Sequence, residues 1–169
     1  NFLERGWGPI EPFDVTLPAL LRDHGVYTHI TTDHCHYMRT GGEGYLQLFN
    51  TWDYHRGQEG DPWVSRIDDP ANMPGTFYGR VRRQYQLNRG RWPREEDMPS
   101  PQTFQSACEW LDDNADADDF FLMVEAFDPH EPFDVPERYM DLYGGGEGLD
   151  RDYFEIPQYK RVSEAEVPA

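Results

Sequence analysis

Two short stretches of this chain concentrate the residue types that do chemistry. His34 and His36 sit one residue apart in Asp33-His34-Cys35-His36-Tyr37, and His130 lies in Asp128-Pro129-His130-Glu131-Pro132. Three such imidazoles could ligate zinc, because a His-x-His pair with a distant histidine is an accepted donor set. They could equally bind a tetrahedral oxyanion and pass a proton to a leaving group. A nucleophile made of Cys35 and His36 is disfavoured, since neighbours on an extended chain point to opposite faces. Polar turns with no chemistry would use the same residues, and proline-rich turns after strands are common.

Both stretches follow candidate strands. Phe120–Phe127 is an apolar run in which Glu125 is the only charge, and it follows the turn-like Asp112–Asp119. That pattern predicts a strand buried on both faces, which Pro129 and Pro132 then end. Upstream, Asp14 or Thr16 can cap a helix with Pro18 in its first turn and an apolar stripe of Leu17, Leu20 and Leu21. Gly25 supplies the stop, and the β-branched and aromatic Val26–Thr32 predicts a strand. A second helix opens at Ser100-Pro101, and Phe104, Ala107, Cys108 and Leu111 define its buried face, with Cys108 as a small core residue. Two helix-then-strand units predict an α/β fold, a parallel sheet covered by helices on both faces. The histidine turns then lie at the carboxyl ends of strands, where open α/β sheets bind ligands.

Elsewhere the pattern is weaker. Asn1–Pro12 reads as loop. Residues 39–99 read as a long, irregular, insertion-like excursion with a possible short strand in Tyr45–Tyr54 and a polar loop from His55 to Trp63. Arg80, Arg82, Arg83, Arg89, Arg91 and Arg94 form the one basic cluster, for which intramolecular ion pairing is the expectation in so acidic a chain. Glu137–Tyr143 reads as a short helix ended by Gly144-Gly145-Gly146. Asp150–Ala169 has little periodicity.

Charge and composition narrow the function classes. Asp and Glu number 32 against 15 Lys and Arg, a formal charge of −17, and Lys160 is the sole lysine. Such a surface repels nucleic-acid phosphates and anionic membranes, and no apolar stretch is long enough to span a bilayer. Abundant Asp with scarce Lys predicts a salt-adapted source, with the protein either cytoplasmic or exported. No signal-like segment is visible, but the sequence opens on Asn1 rather than Met, so a leader on a longer precursor is compatible with it. Cys35 and Cys108 give no disulfide framework.

The chain resembles the type I, formylglycine-dependent sulfatases of the alkaline phosphatase-like superfamily. Two motifs carry the resemblance: LPALLRDHGVYTHITTDHCHYM (Leu17–Met38) and FFLMVEAFDPHEPFDVPERYMDLY (Phe120–Tyr143). WDYHRGQEGDPW (Trp52–Trp63) is similar to a loop of one branch of that family. The resemblance implies an alkaline phosphatase-like, mainly parallel sheet and hydrolysis of a small-molecule or saccharide sulfate ester. It makes His130 and His36 catalytic, as leaving-group proton donor and anion-facing histidine, and gives His34 and Arg56 to substrate binding. It also implies a calcium or magnesium ion and a formylglycine nucleophile in the parent enzyme.

Departures from the family pattern matter as much. His34 stands where many members have lysine, which removes one permanent positive charge from the anion site. No C-x-P-x-R motif is present. Cys35 to Arg39 has the right interval, but Tyr37 stands where proline is required. The nucleophile and metal ligands are therefore expected outside this sequence, and residues 1–169 correspond to part of a catalytic domain, inactive alone and with unpaired strand edges. A phosphate or phosphonate ester hydrolase of the same fold and a non-catalytic module are the competing readings. The residues do not specify an oligomeric state.

Overall fold

A computed structural model describes residues 8–67 and 77–142 of the chain. The chain divides into two compact units, Asn1–Asp128 and Pro129–Ala169. Among the described residues, the first unit contains α1 (Leu17–Asp23), β1 (Tyr27–Thr32), β2 (Thr51–Tyr54), α2 (Phe77–Arg89), α3 (Pro99–Asp113) and β3 (Phe120–Glu125), with short 3-10 turns at Cys35–Met38, Leu46–Leu48 and Glu95–Asp97. The second unit contains α4 (Glu137–Asp141). The expectations for Gly144–Gly146 and Asp150–Ala169, and for most of the amino-terminal loop, lie outside the described residues.

The fold is α/β, built on a three-stranded, all-parallel sheet of order β2-β1-β3. β1 is the central strand. His29 aligns with Thr51 and Leu122, and Thr32 with Tyr54 and Glu125. Its side chains alternate between two layers, as the twofold strand period requires. Ile30 joins Leu46 and Phe49 in the core, with Tyr37, Leu48, Phe121 and Met123 packed around them. The opposite face meets α3: Thr31 Oγ1 donates to the carbonyl of Thr103 at 3.3 Å, and the His29 ring stacks on Trp110 at 5.1 Å. The buried threonines of β1 are tolerated because they find partners, Thr28 Oγ1 donating to Asn50 Oδ1 at 2.9 Å.

Several expectations need correction. β3 is an edge strand, not one buried on both faces, and Phe120 and Val124 are each 38% exposed. The centre went instead to β1, whose threonines disguise its burial. Helix α3 begins at Pro99, with Met98 at its N-cap, and it buries Pro99, Thr103 and Ala107. That i, i+4, i+8 stripe is rotated from the expected one, so Phe104 and Leu111 are exposed at 56% and 42%, and Cys108 is an exposed thiol rather than a core residue. Thr16 is the N-cap of α1 but makes no side-chain capping bond, and Leu17 and Leu20 are exposed.

Residues 39–99 are more ordered than expected. They contribute β2 to the sheet and the thirteen-residue α2. This helix buries Val81, Tyr85 and Asn88, an i, i+4, i+7 stripe hidden in the sequence by its arginines and by the polar Asn88. Asn88 is satisfied within the fold, its Nδ2 donating to the carbonyls of Gly57 and Asp61 at 3.0 and 2.8 Å. Gly25 ends α1 as expected, with φ +85 in the region that favours glycine.

Candidate functional site

Where β1 ends, the chain turns sharply. The His34 backbone N–H donates to Thr32 Oγ1 at 3.0 Å, a local turn that competes with strand continuation. The Cys35–Met38 3-10 turn then folds the chain back. Gly42 permits this, because a Cβ there would collide with the His36 carbonyl. The result presents Asp33, His34, Cys35, His36, Tyr37 and Arg39 in one short segment at the carboxyl edge of the sheet.

Neighbouring elements reach into the segment. Glu125 closes β3, and its carboxylate gathers three groups: Tyr37 Oη donates to Oε2 at 2.7 Å, Thr32 Oγ1 to Oε2 at 3.5 Å, and His34 Nδ1 lies 3.3 Å from Oε1. Burial opposes the charge on Glu125, but these donors outweigh it and hold its pKa below the usual carboxylate value. An ionised carboxylate only accepts, so the proton on His34 sits on Nδ1. Burial, reinforced by the same contact, pushes the Tyr37 phenol up. Beside His34, the fully buried Asp33 accepts from the Phe127 backbone N–H at 2.6 Å through Oδ1, while Oδ2 has no hydrogen-bond partner among the described residues. Burial, reinforced by the nearby Asp128, pushes Asp33 up to about 7 against that bond. Asp128 in turn accepts from Gln58 Nε2 at 2.7 Å.

His36 meets a different carboxylate. Its Nε2 is 3.4 Å from Glu59 Oε2 and 3.3 Å from Arg39 Nη1, and Arg39 is 3.5 Å from the same Glu59 oxygen. Arginine only donates and carboxylate only accepts, so Nε2 serves Arg39 when neutral and Glu59 when protonated. Glu59 adopts φ +51, an uncommon conformation for a residue with a side chain.

Cys35, His36 and Glu59 bring one ligand atom each to within 4.8 Å of one another, a mixed S, N, O set of the kind zinc accepts. One observation weighs against a metal there: the Arg39 guanidinium already supplies positive charge beside Glu59. The set also holds a single carboxylate, whereas calcium and magnesium need several hard oxygens, so it does not fit either ion. Cys35 and His36 do reach a common partner, which the extended-chain reasoning above did not anticipate. Burial disfavours the thiolate that a Cys35 nucleophile would need.

The structure brings His34 and His36 together, ring centroids 5.2 Å apart and edge-on at 87°. Arg56 follows β2 at the same sheet edge, and its Nε and Nη2 donate to the buried Asp61 at 3.1 and 2.8 Å. His130 belongs to the second unit. There its Nδ1 donates to the Glu131 carbonyl at 2.8 Å and lies 3.4 Å from the Glu131 carboxylate, and the ring is half exposed. With Nδ1 so occupied, a second proton on His130 would sit on Nε2. Glu125, Glu59, Tyr37 and Asp33 were not assigned from sequence. Glu125 alone had a visible signal, being the one charge in an apolar strand.

No protein-family model, curated protein or solved structure matches the chain. Among the described residues no helix is long and apolar enough to cross a membrane.

Proposed function

We propose that this chain forms part of the ester-binding and proton-transfer edge of a sulfuric ester hydrolase with an alkaline phosphatase-like sheet. The observation that carries the reading is the meeting of His34, His36 and Arg39 at the carboxyl end of the central parallel strand, each held by a carboxylate from another segment. Such an edge suits a tetrahedral oxyanion. Arg39, steadied by His36 and Glu59, keeps N–H donors beyond Nη1 for sulfate oxygens, and Glu125 fixes the His34 ring so that it need not reorganise when charge develops. His130, with Nδ1 anchored, is assigned the proton donated to the leaving alcohol through Nε2.

The nucleophile and the divalent cation are assigned to residues outside this sequence. When bound, that cation would neutralise sulfate oxygens. Within the chain the work is binding, orientation and proton transfer. The sulfate reading is preferred to the phosphate one on resemblance.

The test is hydrolysis of 4-nitrophenyl sulfate by the full-length protein and its His36→Ala and His130→Ala variants. Each substitution should lower kcat by roughly 10²–10⁴-fold. A change within twofold removes that histidine from the mechanism. Faster turnover of 4-nitrophenyl phosphate than of the sulfate would move the assignment to phosphate esters.

A further inference from the structure

One strand away from His34, the β2 end opens on a cavity of about 580 Å³, of whose lining only Arg56 was given a role above. The His55 backbone N–H donates to the Thr32 carbonyl at 2.9 Å, so this cavity starts on the same rim of the sheet. Its walls come from the β2 end, from Trp63 and from the segment leading into α3. In a chain of formal charge −17, they carry three arginines, Arg56, Arg91 and Arg94, and one carboxylate, Asp97.

The three arginines are not equivalent. Arg94 is fully engaged, donating to Asp97 at 2.9 and 2.7 Å and pairing with Glu96 at 3.0 Å. Arg56 has one edge fixed by Asp61, which leaves Nη1 as a prepositioned donor. Arg91 is exposed and makes no ion pair with any described residue. Its charge is thus the surplus on the wall. Beside it, Trp63 and Trp92 lie with ring centroids 6.5 Å apart and planes 25° from parallel. Flat indole faces next to an uncommitted guanidinium suit a ring that carries an anion: the ring packs on the aromatics and the anion meets Arg91.

We propose that this cavity binds a ring compound bearing an anionic group, a carboxylated or sulfated sugar or an aryl acid. In the hydrolase proposed above, and resting on that reading, it receives the part of the ester that departs as the alcohol.

The experiment is calorimetric titration of the full-length protein with five probes: methyl β-glucuronide, methyl β-glucoside, benzenesulfonate, benzyl alcohol and inorganic sulfate. At least one anionic ring should bind more tightly than both its neutral counterpart and inorganic sulfate. The glucuronide and benzenesulfonate arms tell a saccharide site from an aryl one. Arg91→Ala, at an exposed position that does not endanger folding, should weaken that binding roughly tenfold, the effect of one charge-assisted contact. Trp63→Ala should weaken it too. No binding, equal binding of the neutral ring or of sulfate alone, or indifference to Arg91→Ala would overturn the proposal. Turnover of 4-nitrophenyl sulfate is read separately. Binding without turnover leaves the site standing and removes the hydrolase reading, whereas turnover with no Arg91-dependent binding does the reverse.

Discussion

His34 Nδ1 lies 3.3 Å from Glu125 Oε1, an interaction between residues 91 positions apart that joins the ends of two adjacent parallel strands. It gives the imidazole a defined tautomer and a defined orientation. Glu125→Gln keeps the shape but removes the ionised acceptor. On the proposed ester-hydrolase reading, it should lower kcat of the full-length protein about 10–100-fold, the effect expected of losing an orienting partner, with KM little changed. If Glu125 serves only stability, melting would fall while kcat per folded molecule stayed constant.

Asp33 gives a pH signature. Its folded pKa of about 7 stands above its ordinary 3.8, so between these values the folded chain binds a proton that the unfolded chain does not. This contribution to stability is therefore present at low pH and is lost as pH rises from about 4 to about 7. His29 and His55, lowered by burial, act in the opposite sense up to about 6.5. The readout is accordingly the difference between Asp33→Asn and the parent in urea unfolding. The variant should gain on the parent progressively from pH 4 to 7, by at most about 4 kcal/mol. A constant difference would show that Asp33 does not titrate in that window.

Gly57 has φ +119, and a Cβ there would collide with Trp92 and come within 3.0 Å of Trp63. Gly57→Ala should cost about 2 kcal/mol or more, combining backbone strain with displaced indoles. Gly25, φ +85 with nothing within 4 Å, is the control. Gly25→Ala should show only the strain, about 1–2 kcal/mol. Chemical denaturation with near-ultraviolet circular dichroism separates the two, since only the first should alter the tryptophan signal.

The two thiols should differ in reactivity. Cys108 is exposed, whereas Cys35 is buried and pushed up to about 12. Ellman's reagent should modify one thiol per chain promptly under native conditions and the second only after denaturation. Two fast thiols would contradict the burial of Cys35.

Local signals in the sequence were readable where one residue type dictates geometry. Gly25 ended α1, the β-branched run became β1, and His34 with His36 landed at a strand end. What was not readable depends on contacts made across the chain. Nothing local tells that β1, with its threonines, sits between β2 and β3, because strand order in a parallel sheet is decided by packing. α2 escaped notice because the third position of its buried stripe is Asn88, satisfied by carbonyls about 30 residues away. The partners of the histidines were equally remote: Glu59 lies 23 residues from His36 (59 less 36), and its relevance rests on a loop whose path the sequence does not state.

The bond from Phe127 to Asp33 has a mechanical meaning as well as an electrostatic one. With the Glu125 contacts to His34 and Tyr37, it fastens the exits of β1 and β3 to one another. A substitution that moves the Phe127 backbone would therefore drag Asp33, and the neighbouring His34, with it.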